Sequence, residues 1–233
     1  MTQLSKYETV ATCLKLCNQT RPDVQHNRRY YTAVKTCAPS ISSHMEFVDK
    51  ARYGELKAPS NLIREIRQAT YSIMEVCDHD PSIDSIVICG MHAHAIVAYY
   101  VASCIQTLVA CKNWQSCAYP GVLCVTFGLP RYWHVLNCAF EHWKIVMVDD
   151  WYVLSPFVIN IRPSANTFWL GEVSQLTYVI HTVMSIFGCH HKTRNIIHYE
   201  AAWSQFRPGH TNAYTCTEDE AFDILIDPSS PTL

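Results

Sequence analysis

Apolar positions along this chain fall into two kinds of run that alternate. Over residues 60–77 they recur at helical spacing. Leu62, Ile63, Ile66, Ala69, Ile73 and Val76 form one stripe behind the start signal Pro59-Ser60. Asp78-His79-Asp80-Pro81 ends that helix. Residues 85–89 are then a short unbroken apolar run, the pattern of a strand covered on both faces of a parallel sheet. A helix without Lys, Arg, Asp or Glu follows from about Ala93 to Cys111, and Ala95, Ala98 and Ala102 share a face that lets it lie close to the sheet. Residues 122–127 are the next buried strand, closed by Gly128-Leu129-Pro130. A short helix is expected over residues 135–141. Residues 144–148 form a third strand, which ends in Asp149-Asp150. The order strand–helix–strand–helix–strand predicts an α/β fold with a mostly parallel central sheet covered by helices.

The flanks are less patterned. Val10, Cys13, Leu14 and Cys17 predict a short amphipathic helix, and the polar stretch after it carries no motif. Residues 172–187 predict a helix with Val173, Leu176, Ile180, Val183 and Phe187 on its inner face. At 233 residues one domain is the simplest reading. Residues 1–49 are taken as part of it, 50–227 as its main body and 228–233 as a loose tail.

Composition narrows the function classes. Hydrophobic residues make up 49% and charged residues 16%, which suits a large core and excludes disorder. A formal net charge of −2 gives no reason to expect a nucleic acid or an anionic membrane as partner. Trp133, Trp143, Trp151 and Trp169 line a core or a cleft rim rather than stack bases, because no basic patch interleaves them. Residues 93–111 are long enough to cross a bilayer. His94, two Tyr, Ser103, Gln106 and Thr107 instead make them a buried helix, so no transmembrane span is expected. There are twelve Cys and no CxxC pair; those in apolar runs read as small buried hydrophobes. The first residues lack the apolar centre of a signal peptide, which predicts a cytoplasmic location. No cofactor is expected.

The candidate chemistry sits at Ile86-Val87-Ile88-Cys89-Gly90-Met91-His92-Ala93-His94. An apolar strand feeds a Gly-led turn into a helix, the geometry that presents a nucleophile in α/β-hydrolases. The centre of the turn is His92, where that chemistry asks for Ser. Met91 and His94 are bulkier than the usual flanking residues, so a distorted turn is expected. Cys89 lies inside the strand, and Ser85 and Ser103 are too far from the turn to replace the missing hydroxyl. His92-Ala93-His94 also has the spacing of two imidazoles on one Zn²⁺, with Asp150 as a third ligand.

Four segments in sequence order resemble the class 3, fungal-type lipases. The helix over 60–77 with Ser85-Ile86-Val87-Ile88-Cys89-Gly90 is similar to that family's helix and nucleophile strand. Val125-Thr126-Phe127-Gly128-Leu129-Pro130-Arg131 resembles its Thr-Phe-Gly-Ser-Pro-Arg strand end. Lys144-Ile145-Val146-Met147-Val148-Asp149-Asp150 resembles the strand that delivers the triad Asp, with Asp150 the better aligned. Phe168-Trp169-Leu170-Gly171-Glu172 resembles an aromatic-x-x-Gly-Glu element. The resemblance covers residues 50–175 and implies an α/β-hydrolase fold and carboxylic-ester hydrolysis of lipids. It implies Asp150 and a late His as triad members. His210, with Tyr214 nearby, is the best placed, and His190, His191 and His198 compete. The family's Arg-Gly-Thr oxyanion segment is not visible in residues 30–60.

The expectation is therefore a lipase-like domain with impaired catalysis, in which His92, Asp150 and His210 are remnants of a triad. Its ligand would be a lipid or small hydrophobic molecule, or a protein partner. The alternatives are an active carboxylic-ester hydrolase with an atypical site, or a metal-dependent hydrolase built on His92 and His94. Short elements and many Cys also suit a fast-evolving viral protein.

Overall fold

Six strands pair side by side in the order in which the chain makes them. The computed structural model describes residues 3–21, 23–35, 60–111, 121–129, 140–147, 150, 166–170 and 195–205. Helix α1 (Gln3–Asn18) leads into an antiparallel hairpin of β1 (Asp23–His26) and β2 (Arg29–Ala33). Helix α2 (Ser60–His79), β3 (Ser85–Met91), helix α3 (Ala93–Cys111) and β4 (Gly121–Phe127) follow. Strands β5 (Glu141–Met147) and β6 (Asn166–Leu170) and helix α4 (Ile196–Gln205) complete the described elements. From β2 to β6 every pairing is parallel. This is the α/β architecture with a mostly parallel sheet that the sequence predicted.

Both faces of the sheet are covered, which is why its strands read as unbroken apolar runs. Alternate residues feed two cores. Ile86 and Ile88 of β3, with Val122 and Cys124 of β4, pack under α2 and α3. Val87, Cys89, Leu123, Val125, Trp143 and Ile145 pack on the other face, against α1 and α4. Each fully buried aliphatic side chain of this kind stabilises the fold by about 1.5–3 kcal/mol. Helices α2 and α3 share a face because successive right-handed crossovers that advance in one direction all pass over the same side.

Several elements differ from the sequence reading. Glu141 opens β5 instead of ending a helix over residues 135–141, of which 135–139 lie outside the described residues. Trp143 and Ile145 enter one core while His142, Lys144 and Val146 are buried on the opposite face, so the strand starts earlier than its purely apolar part. The β1–β2 hairpin occupies the stretch read as featureless. Its two turn residues, Asn27 and Arg28, both have positive φ, 48° and 62°. That is the primed turn favoured in tight hairpins, and Arg28 in place of the usual Gly concealed it. Strand β6 and helix α4 were also missed. The helix predicted over 172–187, the tail, Trp133 and Trp151 lie outside the described residues. None of the helices among the described residues is long and apolar enough to cross a membrane.

Tyr100, half-buried on α3, gives the fold an alkaline limit. Burial pushes its phenol up from 10.0 to about 12. The folded state therefore excludes the phenolate, and the stability this provides is complete below pH 10 and lost as the pH rises through about 12. Tyr30 behaves alike, through burial first and then the Asp23 carboxylate. The urea midpoint is expected to fall between pH 10 and 12, and to fall less in Tyr100→Phe.

Candidate functional site

β3 runs out of the sheet into the turn that starts α3, and His92 is the residue at its tip. Its φ of 49° is left-handed, which non-glycine residues adopt rarely and at some energetic cost. The turn is held from both sides. The His92 N–H donates to the Phe127 carbonyl at 2.9 Å, and the His92 carbonyl accepts from Ala95 N–H at 3.0 Å as α3 begins. Met91 still pairs with Phe127 in the β3–β4 ladder, so the strand register holds up to the turn. What the turn does require is Gly90. A Cβ there would lie 2.4 Å from the His94 carbonyl oxygen. The helix backbone crosses that close, and only hydrogen fits between.

Asp150 follows β5, two strands from β3 with β4 between them. Its N–H donates to the Met147 carbonyl at 3.1 Å. Asp150 is completely buried. His92 Nε2 lies 2.9 Å from Asp150 Oδ2. Between them sits Gly128, with φ 61°, at the end of β4. A Cβ at Gly128 would meet His92 Cδ2 at 2.5 Å and Asp150 Oδ2 at 2.9 Å. The Thr-Phe-Gly pattern at residues 126–128 thus has a local cause. Glycine supplies both the positive φ and the space in which imidazole and carboxylate meet.

A third member comes from α4. Tyr199, fully buried, donates its hydroxyl to the same Asp150 Oδ2 at 2.6 Å, and Met147 N–H donates to the Tyr199 oxygen at 3.4 Å. Its ring also stands edge-on to His92, with centroids 6.5 Å apart. One sequence signal accompanies Tyr199: an i, i+4 aromatic pair with Trp203, both buried on one side of α4.

This arrangement fixes the chemistry of the imidazole. An ionised carboxylate only accepts hydrogen bonds, so Nε2 carries the proton donated to Asp150. In the neutral ring Nδ1 then holds the lone pair. Asp150 Oδ2 already serves two donors. In a serine hydrolase an imidazole from elsewhere stands between the elbow and the acid. Here the elbow residue itself takes the place at the acid. About a fifth of the His92 side chain reaches solvent.

The other sequence candidates are placed as follows. Cys89 is buried and points into the core under α1, away from the elbow tip. Ser85 stands at the opposite end of β3, its hydroxyl buried without a hydrogen-bond partner. His198 lies exposed on α4, hydrogen-bonded to Asn195 through its ring at 2.6 Å. His190, His191 and His210 lie outside the described residues. Among the described residues no group of three His, Cys, Asp or Glu side chains is placed to hold a metal ion. Strand β2 ends beside the elbow, where Val34 N–H donates to the Cys89 carbonyl at 2.8 Å. An oxyanion segment would leave the sheet there, and residues 36–59 lie outside the described residues. In comparisons with known proteins, the chain matches no family model and no curated sequence.

Proposed function

We propose that this chain is a lipase-like α/β-hydrolase domain that no longer hydrolyses esters through a serine acyl-enzyme and instead binds a lipid or small hydrophobic ligand at the former cleft. The observation that carries the reading is His92. It stands on a left-handed strand–turn–helix tip, where a nucleophile belongs, and is hydrogen-bonded to the acid that would have oriented the catalytic base. The four-segment resemblance to class 3 lipases supplies the ligand class. A tip imidazole bound to Asp150 leaves no hydroxyl to acylate and occupies the position of the base, so two of three triad functions are lost together.

The test is hydrolysis of short- and long-chain p-nitrophenyl esters by wild type, His92→Ser and His92→Ala, with and without chelator. Wild type is expected to match the heat-denatured control. His92→Ser restores a hydroxyl and vacates the seat at Asp150 for the late His that the resemblance implies, with His210 its first candidate. It is expected to gain about a hundredfold over wild type, the usual worth of a positioned general base. The gain disappears in the double variant with His210→Ala. Turnover by wild type that His92→Ala abolishes would overturn the reading.

One observation favours a second reading, the atypical active hydrolase. A buried carboxylate on Nε2 fixes the ring's orientation and leaves the other ring nitrogen with its lone pair. Wild-type turnover lost in both His92→Ala and Asp150→Asn, and insensitive to chelator, would support it. Loss on chelation would return the metal alternative.

A further inference from the structure

We propose that Cys17 and Cys89 are an oxidation-dependent disulfide site that fastens the end of α1 to the elbow strand. Cys17 lies in the last turn of α1, and Cys89 immediately precedes Gly90 on β3. Their sulfurs are 3.9 Å apart. Both are free thiols. A disulfide needs about 2.05 Å, so the sulfurs must approach by roughly 1.9 Å.

The neighbourhood favours this pair over others. Cys89 is fixed in the centre of the sheet, so the movement must come from α1. Cys17 is at the end of that helix, just before a bend at residues 19–21, and is only half-buried. Helix ends of this kind shift and fray. Cys13 also faces Cys89, whose thiol donates to the Cys13 carbonyl at 3.7 Å. Cys13, however, is fully buried one turn further in, where α1 packs tightly. Cys124 belongs to the opposite core, across the sheet.

The oxidant class is a peroxide. The Cys17 thiolate attacks hydrogen peroxide, forming a sulfenic acid and, after proton transfer, water. The Cys89 thiol then displaces that hydroxyl as a second water while the S–S bond forms. Two thiols and one peroxide thus give one disulfide and two waters. The Cys89 contact and then burial hold the Cys17 thiol well above its ordinary 9.0, Lys35 opposing and Glu200 adding to them. Thiolate is scarce at neutral pH, so the bond forms slowly and only under sustained oxidant.

The experiment treats the full chain with hydrogen peroxide, alkylates it with iodoacetamide and maps the peptides by mass. Cleavage after Lys15 separates Cys13 from Cys17, and cleavage before Asp84 and after Met91 isolates Cys89. A reducible Cys17–Cys89 peptide is expected in wild type and in Cys13→Ser, with none in Cys17→Ser or Cys89→Ala. Oxidised wild type is expected to melt higher than reduced wild type, a difference lost in Cys17→Ser. Alkylation of both Cys17 and Cys89 after peroxide, or pairing of Cys89 with Cys13, would overturn the proposal. If Cys89→Ala fails to fold, the half-buried Cys17→Ser decides.

Discussion

Gly90→Ala is expected to abolish the elbow and with it most of the stability of the fold. Its Cβ would lie 2.4 Å from the His94 oxygen, 2.6 Å from the His94 carbonyl carbon and 2.9 Å from Ala95 N. All three are backbone atoms, so no side chain can rotate away. The first turn of α3 must lift off the sheet, and α3 carries the buried Ala95, Ile96, Val97, Ala98, Val101, Ala102 and Ile105. Overpacking typically costs about 1–3 kcal/mol. A clash with rigid backbone that disturbs a whole core helix belongs at or above the top of that range. Gly121→Ala is the control: a Cβ there meets nothing within 4 Å, and its effect should stay within about 0.5 kcal/mol. Urea midpoints of the two variants make the comparison. Equal stabilities would mean that α3 does not cross β3 as closely as described.

Asp150→Ala should be the most damaging change among the three site residues. It strips His92 and Tyr199 of their common acceptor inside a region where Asp150 itself has no solvent contact. Hydrogen bonds to a charged group contribute about 1.5–3 kcal/mol each, and leaving their donors unmet adds desolvation cost. A loss of about 3–5 kcal/mol is expected from the two bonds together. Asp150→Asn keeps an oxygen able to accept from the Tyr199 hydroxyl and His92 Nε2–H, and removes a buried charge. Its cost should be near 1 kcal/mol. Tyr199→Phe removes one donor and falls between them. The ordering Ala, then Phe, then Asn separates a carboxylate that holds the site together from one that only fills space. Chemical denaturation measures all three, and a value for Asp150→Ala no larger than that for Asp150→Asn would sink the argument.

The legible part of this molecule was the part whose physics is local. Ile86 to Cys89 and Val122 to Phe127 are buried on both faces, so their apolar runs are visible without knowing the neighbours. The turn at His92 is visible because Gly90 punctuates it. Asp150 is singled out by the resemblance of residues 144–150 to a lipase strand, which says nothing of what it touches. The parts that stayed hidden depend on distant contacts. Tyr199 meets Asp150 across 49 residues of chain, and nothing in Ile196–Gln205 announces that. The hairpin turn used Asn27-Arg28 rather than a glycine pair, so its positive φ values had no residue signature. Exposed Glu141 and buried His142 are polar residues that open β5, so its first residues do not read as strand. The imidazole–carboxylate bond itself was hidden by analogy. A triad template places a separate His beside the acid, so a direct His92–Asp150 hydrogen bond has no signal in it.

Because spatial order equals chain order from β1 to β6, the sheet can be laid down one strand at a time as a nascent chain emerges. Each new strand finds its partner already in place, without threading between earlier ones. The face under α2 and α3 closes in the same progression. The other face cannot. Tyr7 of α1 stacks on Trp203 of α4 at 5.5 Å, and the Trp203 indole N–H reaches the Tyr7 carbonyl across 196 residues. Among the described residues, that second face is therefore covered by α1 alone until α4 is made. Tyr199 comes in with that same helix, so Asp150 receives the Tyr199 hydrogen bond only when α4 has been made. Arrest of translation before α4 would leave an exposed apolar surface and an unfinished site at once, the kind of intermediate that chaperones retain.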